Sequence, residues 1–159
     1  MRAYARWFGV TDPGQIDTWG IVGLLHDFDY EQNPTEDTHL HVGGRILRER
    51  GYPEEIVEAI CSHADYMNIP RDTPLKKAIY ACDEMVGFIG AVREGAALEA
   101  DRRPARRVRG EEAQGQGVRA LGGPVVRVRR ARMAVGRPLA EHVAFLIDAL
   151  RPIAAEIGL

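Results

Sequence analysis

Apolar residues recur at spacings of three and four along most of the chain, which is the period of an amphipathic helix. The longest such series follows Thr73-Pro74 and comprises Leu75, Ile79, Cys82, Val86 and Ile89. Strict alternation of apolar and polar residues, which would indicate a strand, occurs only briefly at 125–130, and we leave that stretch unassigned. The pattern predicts an all-α fold, a compact bundle of about six helices.

Turn and capping residues divide the pattern into separate helices. The predicted breaks are Gly9, the turn Asp12-Pro13-Gly14, the polar loop 30–38, Gly51, Pro70 and Pro152. A helix is already under way at residue 1. Asp17 or Thr18 is the predicted cap of the second helix, which ends at His26-Asp27. A third helix is expected at about 36–50, and the last begins at Pro138.

Polar residues point inward at several places on these helices. His26-Asp27 directly follows the apolar run 21–25. His39 and His63 lie on the buried stripes of later helices, and Asp83 faces the edge of the core. Placing carboxylates and imidazoles together away from water is unfavourable unless a cation binds them. We therefore interpret the set as ligands of a divalent metal.

A plainer interpretation exists for each residue alone. A single buried histidine is more often a satisfied core residue, and an adjacent His-Asp pair also arises by chance. Several such residues on successive helices are hard to explain by packing. Imidazole and carboxylate together favour Zn, Mn, Fe, Ni or Co over Ca. We expect one or two ions, bridged by Asp27 if there are two. A bound ion of this kind lowers the pKa of water and neutralises phosphoryl oxygens.

Four motifs together carry a family resemblance. They are GLLHDFDYE at 23–31, His39 ahead of Gly43-Gly44, the I-x-x-H that ends at His63, and LxxAIYACDE at 75–84. In this order and spacing they resemble the HD superfamily of metal-dependent phosphohydrolases, and more narrowly its HDIG-type branch of uncharacterised predicted hydrolases. The resemblance runs from Met1 to about Arg93 and resumes near Pro138.

The resemblance implies an all-α hydrolase that cleaves a phosphomonoester or phosphodiester, commonly of a nucleotide, by metal-activated water. By matching position, His26, Asp27 and Asp83 are the implied core ligands, and His26 and Asp27 form the implied catalytic centre. His39 and His63 correspond to the additional histidines that bind a second metal or the phosphate. A non-catalytic HD-like module that binds a metal or a nucleotide is the alternative.

Members of this family carry a leading histidine on a helix ahead of the HD motif. No histidine precedes His26 in this chain, and MRAYARWFG resembles only the end of that first helix. We therefore expect either that the natural product starts further upstream or that the protein lacks one ligand, which would weaken metal binding by orders of magnitude.

An Arg- and Gly-rich segment at 94–127 departs from the family. Eleven of the 19 Arg lie between Asp101 and Arg137, so this window carries +8 and the remainder −10. Back-translation of 94–124 with free third bases, read one nucleotide later, permits a Lys-rich helical sequence that resembles the family's basic segment. We predict a compensated frameshift, which the coding DNA tests. The alternative is a nucleic-acid-binding arm, although the window lacks aromatic residues for base stacking.

The remaining features suggest an ordinary globular protein. We expect a single HD-type domain over 1–159, located in the cytoplasm, because no signal peptide or apolar run of membrane-spanning length occurs. Cys61 and Cys82 are expected as core thiols. The expected partner is a small phosphorylated substrate, with no membrane and no nucleic acid; the pattern does not address oligomeric state.

For several other residues we predict an ordinary core or surface position in preference to a role in the chemistry. Core or core-edge positions are expected for Trp7, Trp19, Phe28 and Phe88. His41 and His142 are expected at the surface. Asp29 and Glu31 are expected as solvated loop acids, the alternative being carboxylates that support a metal ligand. For Glu84, a role in orienting a ligand and no role are equally open.

Overall fold

The computed structural model describes residues 1–83, 85 and 135–156. Within these residues the secondary structure is helical and no strand is present. The α-helices include α1 (Arg2–Trp7), α2 (Pro13–Leu25), α3 (His41–Glu49), α4 (Glu54–Cys61), α5 (beginning at 74, with residues 74–83 and 85 described) and α6 (Leu139–Leu150), and short 3₁₀ turns occupy Asp65–Met67 and Arg151–Ile153. The prediction of an all-α fold is confirmed.

Some predictions concern residues outside the described ranges. These residues are Glu84, Val86, Phe88 and Ile89, the brief alternation at 125–130, and the Arg- and Gly-rich segment at 94–127. The frameshift hypothesis and the nucleic-acid alternative therefore stay predictions. In the part of the chain that the structure does describe, no helix is long and apolar enough to cross a membrane.

Helix α2 begins earlier than predicted, at Pro13 rather than after Asp17. Asp12 has extended backbone angles, and its carboxylate accepts a hydrogen bond from the Gln15 N–H at 2.8 Å. Pro13 occupies the first helical position, where the missing N–H has no partner to lose. The Asp-Pro-Gly sequence was expected as a turn, but here it is a cap followed by the first turn of the helix.

Helix α3 begins at His41, five residues later than predicted, so His39 lies just before the helix. Leu40 has a positive φ of 62°, which breaks the helical path. The predicted end is confirmed, because Gly51 has a φ of 78° and follows the last turn. Helix α4 ends at Cys61, well before Pro70, and the chain then turns through Asp65–Met67.

The core contains residues from all of the helices α1 to α5. Helix α2 packs against α1 and α4, and α3 packs against α4. Most described residues of α4 and α5 are buried, and Ile60 on α4 and Ala81 on α5 are completely inaccessible to solvent. Both cysteines are buried free thiols, as predicted. Trp19 is in the core as predicted, whereas Trp7 and Phe28 are exposed by about 40%, so the prediction of a core or core-edge position was wrong for these two residues. This packing brings the C-terminal ends of α2 and α4 next to the start of α3.

His142 lies on α6 and is fully buried, so the predicted surface position was wrong. Its Nε2–H donates to the carbonyl oxygen of Ala81 on α5 at 3.1 Å, and its Nδ1 is hydrogen-bonded to the hydroxyl of Tyr4 on α1. The periodicity of α6 already contained this signal, because His142 is four residues before the buried Leu146. The histidine thus connects three helices. His41, also predicted at the surface, is exposed.

Candidate metal centre

The five candidate ligands come from different helices and meet at one place. Two of them, His26 and Asp27, follow the last turn of α2. His39 lies two residues before the start of α3, and His63 lies two residues after the end of α4. Asp83 lies on α5. Because the helix ends converge, residues up to 57 positions apart in the sequence become neighbours.

The carboxylate of Asp27 lies at the centre of this group. Its Oδ1 is 3.3 Å from Nε2 of His39 and 3.4 Å from Nε2 of His63. Its Oδ2 is 3.3 Å from Nε2 of His26. The same Nε2 of His26 is 3.4 Å from Oδ1 of Asp83. The two oxygens of Asp27 therefore face two different sets of side chains.

These contacts define two clusters that share Asp27. The outer cluster consists of His26, Asp27 and Asp83, and the inner cluster consists of Asp27, His39 and His63. Within each cluster one ligand atom from every residue lies within 4.8 Å of the others. Two nitrogens with a carboxylate oxygen, or one nitrogen with two carboxylates, are donor sets that suit a divalent transition metal.

Each histidine has its other ring nitrogen engaged. Nδ1 of His26 is 2.9 Å from the Gly23 carbonyl oxygen, and Nδ1 of His63 is 2.7 Å from the Ile60 carbonyl oxygen. A carbonyl only accepts, so these Nδ1 atoms carry a hydrogen, and the neutral form of each ring has its lone pair on Nε2, the atom that faces Asp27. Nδ1 of His39 contacts the Asp29 carboxylate at 3.0 Å.

The carbonyl groups at the end of α4 are fixed by Arg71. Its guanidinium donates to the carbonyl oxygens of Ser62 at 2.7 Å and His63 at 3.4 Å. The same group lies 3.7 Å over the ring of Tyr80 and 2.8 Å from a carboxylate oxygen of Asp65. Because the last carbonyls of a helix have no partner within it, this contact stabilises the segment that carries His63.

The clusters differ in their access to solvent. The side chains of His39 and His63 are only 6% and 7% exposed, whereas that of Asp27 is 46% exposed. His26 and Asp83 are intermediate. The inner cluster is therefore enclosed by protein, and water can reach the group from the outer side.

Comparison with known proteins identifies the family. The HD domain family matches residues 1–86, which is more than half of the chain and includes all five candidate ligands. The chain belongs to the HD domain family. No curated protein and no solved structure matches it. The HD domain is typical of metal-dependent phosphohydrolases and binds divalent metals. The narrower assignment to the HDIG-type branch stays a prediction.

Proton positions in the outer cluster of this HD domain follow from its charges. Burial lowers the pKa of His26, but hydrogen bonds to the Asp27 and Asp83 carboxylates outweigh burial and raise this pKa to about 10. Burial raises the pKa of Asp27, but hydrogen bonds to His26 and His63 outweigh it and hold this pKa well below its usual value. Without a metal, a proton on His26 supplies the positive charge that these carboxylates require.

Asp29 was expected as a solvated loop acid, and this expectation was wrong. The residue is 3% exposed. Its Oδ1 contacts Nδ1 of His39, and its Oδ2 accepts hydrogen bonds from the N–H groups of Leu40 at 3.1 Å and Gly43 at 3.0 Å. Glu31, which was expected to behave in the same way, is exposed. Sequence reasoning placed Asp29 in a polar loop, and its partners lie 10 to 14 residues further along.

A cavity of about 620 Å³ adjoins the outer cluster of the HD domain. His26 and Asp83 form part of its wall, and most of the remainder is apolar, including Leu24, Phe145 and Leu150. Its walls come from α1, α2, α5 and α6 and the turn that follows α6. Sequence reasoning did not anticipate this space, because it lies between segments that are far apart in the chain.

Proposed function

We propose that this HD domain is a metal-dependent phosphohydrolase that acts on a phosphomonoester or phosphodiester, with a nucleotide-like compound as the expected substrate. One observation carries the proposal. Three histidine Nε2 atoms converge on the two oxygens of the Asp27 carboxylate at 3.3–3.4 Å, and Nδ1 of each ring is engaged elsewhere. A packing role alone does not explain this arrangement, and it is one that suits a pair of divalent metal ions.

The donor set supports binding of Mn, Fe, Co, Ni or Zn. His26, Asp27 and Asp83 would hold one ion, and Asp27, His39 and His63 would hold a second. Divalent ions, when bound, lower the pKa of a water ligand and neutralise the charge on phosphoryl oxygens.

The protein residues would position the reactants. Hydrolysis joins a water oxygen to phosphorus, breaks the ester P–O bond and delivers a proton to the leaving oxygen. The exposed side of Asp27 and the partly exposed His26 face solvent, so substrate and water would meet there. His39 and His63 are buried and fixed through Nδ1, so the ligand geometry would persist during turnover.

The assay compares hydrolysis by the full chain after removal of metals and reconstitution with Mn²⁺ or Co²⁺. The substrates are p-nitrophenyl phosphate, bis(p-nitrophenyl) phosphate and a panel of nucleotides. We expect metal-dependent hydrolysis in wild type and at least about a 100-fold loss in kcat/KM for Asp27→Asn, because this change removes a ligand charge from both clusters. His41→Gln is the matched control, since His41 is exposed, and it should retain wild-type activity.

The same assay addresses the alternative of a non-catalytic module. A chain that binds the metals but hydrolyses none of these esters would contradict the proposed reaction and favour the module. Equal activity in wild type and Asp27→Asn would contradict the assignment of the site.

A further inference from the structure

Asp29 makes three hydrogen bonds although it belongs to neither cluster. One carboxylate oxygen contacts Nδ1 of His39, and the other accepts the N–H groups of Leu40 and Gly43. Leu40 precedes the first residue of α3, and Gly43 is in its first turn. These N–H groups have no partner within a helix, and a negative charge is favourable at that end. Asp29 thus caps α3 from a loop more than ten residues away.

The backbone between His39 and α3 is strained. Leu40 has φ 62° and ψ −31°, and the His41 N–H donates to the His39 carbonyl oxygen at 2.7 Å. This is a tight turn of three residues with a positive φ at a non-glycine position, which is rare and costs energy. The turn buries the Leu40 side chain on one side and directs His39 into the inner cluster on the other. The Asp29 carboxylate bonds to both residues and so stabilises the turn.

Gly43 leaves the space that Asp29 occupies. A Cβ atom at this position would lie 2.7–2.8 Å from the carboxylate atoms of Asp29, which is closer than van der Waals contact allows. The next residue, Gly44, has no such relation, because its Cβ would instead approach Cys61 Sγ at 3.0 Å. Gly43 therefore leaves room for the Asp29 side chain, and Gly44 leaves room for the Cys61 side chain.

We propose that Asp29 is a positioning residue that prepares His39 to bind metal in the inner cluster. An ionised carboxylate can only accept, so it keeps the hydrogen of the neutral imidazole on Nδ1. Nε2, which faces Asp27, then carries a lone pair. The proposal rests on the proposed function only in that the inner cluster binds an ion.

The sharpest variant is Asp29→Asn, which keeps the size of the side chain and reverses part of its hydrogen bonding. With its oxygen still accepting the backbone N–H groups, the amide NH₂ faces Nδ1 of His39 and moves the imidazole hydrogen to Nε2. We expect affinity for one of two Mn²⁺ ions to fall about 10- to 100-fold, with the other ion retained. The measurement is a Mn²⁺ titration of the full chain, and Glu31→Gln is the matched control.

A second measurement does not depend on metal. Nitrogen-15 NMR of the metal-free protein, at a pH where the imidazole is neutral, reports which ring nitrogen of His39 carries hydrogen. We expect Nδ1–H in wild type and Nε2–H in Asp29→Asn. The same tautomer in both proteins would overturn the proposal.

A second variant tests the same contact from the other side. Gly43→Ala should displace the Asp29 carboxylate and weaken the same ion about 10-fold or more. Gly44→Ala is the comparison, because its Cβ would approach Cys61 Sγ and not the Asp29 carboxylate, and its loss of metal affinity should be clearly smaller than that of Gly43→Ala. An equal or larger loss in Gly44→Ala would count against the contact with Asp29. A loss of thermal stability without any change in metal affinity in both Asp29→Asn and Gly43→Ala would mean that Asp29 is merely structural, and it would overturn the positioning role.

The outcomes separate this proposal from the proposed function. Two ions bound with equal affinity by wild type and Asp29→Asn would overturn the role of Asp29 and leave phosphohydrolase activity untouched. Selective loss of one ion in Asp29→Asn, with no ester hydrolysed by wild type, would support the role of Asp29 and contradict the phosphohydrolase.

Discussion

Asp27 is the residue on which the proposed site depends most. Its Oδ2 faces His26, and its Oδ1 faces both His39 and His63. No other residue in the described part of the chain belongs to both clusters. The three imidazoles are held from behind by two backbone carbonyls and one carboxylate. The site therefore consists of one shared carboxylate and a set of oriented histidines.

Metal binding should release a proton from His26. The carboxylates of Asp27 and Asp83 raise the pKa of His26 to about 10, so its ring is protonated at pH 7 in the metal-free protein. A metal needs the lone pair of Nε2 and must displace this proton. The apparent affinity should therefore rise with pH, by about tenfold per unit below pH 10 for this one group. Calorimetry of Mn²⁺ binding at pH 6–8, in buffers of different ionisation enthalpy, measures the release. An affinity independent of pH would contradict this prediction.

Sequence reasoning found the candidate ligands more readily than the residue behind them. His39, His63 and Asp83 were selected because the predicted helical spacing placed them on inward faces, and this information is local. The structure buries His39 and His63, although both lie just outside the helices on which they were predicted. The burial of Asp29 depends on a turn at Leu40 and on the absence of a side chain at Gly43, and neither is visible from spacing. A polar loop of this kind is ordinarily solvated. Asp29 is buried instead because of its contacts with residues 10 to 14 positions further along the chain.

At the scale of helices, the candidate site lies mainly at helix ends. Four of the five candidate ligands lie just outside a helix, where the backbone is free to turn. The pattern predicted that these helices exist, but it misplaced the starts of α2 and α3 by several residues. In α2 an Asp-Pro pair that also suits a turn is the actual cap. At the start of α3 the cap is the carboxylate of Asp29, which is remote in sequence and accepts hydrogen bonds from the N–H groups of Leu40 and Gly43.

His142 should contribute strongly to stability because it joins α6 to α1 and α5. His142→Phe removes the hydrogen bonds to the buried Tyr4 hydroxyl and to the Ala81 carbonyl, and we expect it to lower the free energy of unfolding by about 2–4 kcal/mol. Chemical denaturation of the full chain measures this change. His41→Phe is the matched control at an exposed position, and it should stay within about 0.5 kcal/mol of wild type.

The His142 contribution should also depend on pH. Burial lowers the pKa of this histidine in the folded state, so protonation favours the unfolded chain, in which the pKa is about 6.5. The stability advantage of wild type over His142→Phe should be complete above about pH 6.5. It should shrink as the pH falls towards the lowered pKa of the folded protein. An advantage that grows in acid would contradict the burial of a neutral imidazole.

For the molecule as a whole, the candidate site falls within the segment that matches the HD domain. All five candidate ligands lie between residues 26 and 83, inside the match to 1–86. The C-terminal helix α6 joins this unit through His142 and the apolar face that contains Leu146. Fold class could be predicted from the sequence because helical periodicity is local and repeated. The cavity between α1, α2, α5 and α6 could not, because it depends on how distant segments pack.

The central claim is that the Asp27 carboxylate would be a ligand to two metal ions, since it belongs to both clusters. The most direct measurement is the metal content and electron paramagnetic resonance spectrum of the full chain reconstituted with Mn²⁺ and freed of loosely bound metal. We expect two ions per chain with the exchange-coupled spectrum of a bridged pair, and loss of this spectrum in Asp27→Asn. A wild-type chain that retains no Mn²⁺, or that gives only the spectrum of isolated ions unchanged in Asp27→Asn, would contradict the account.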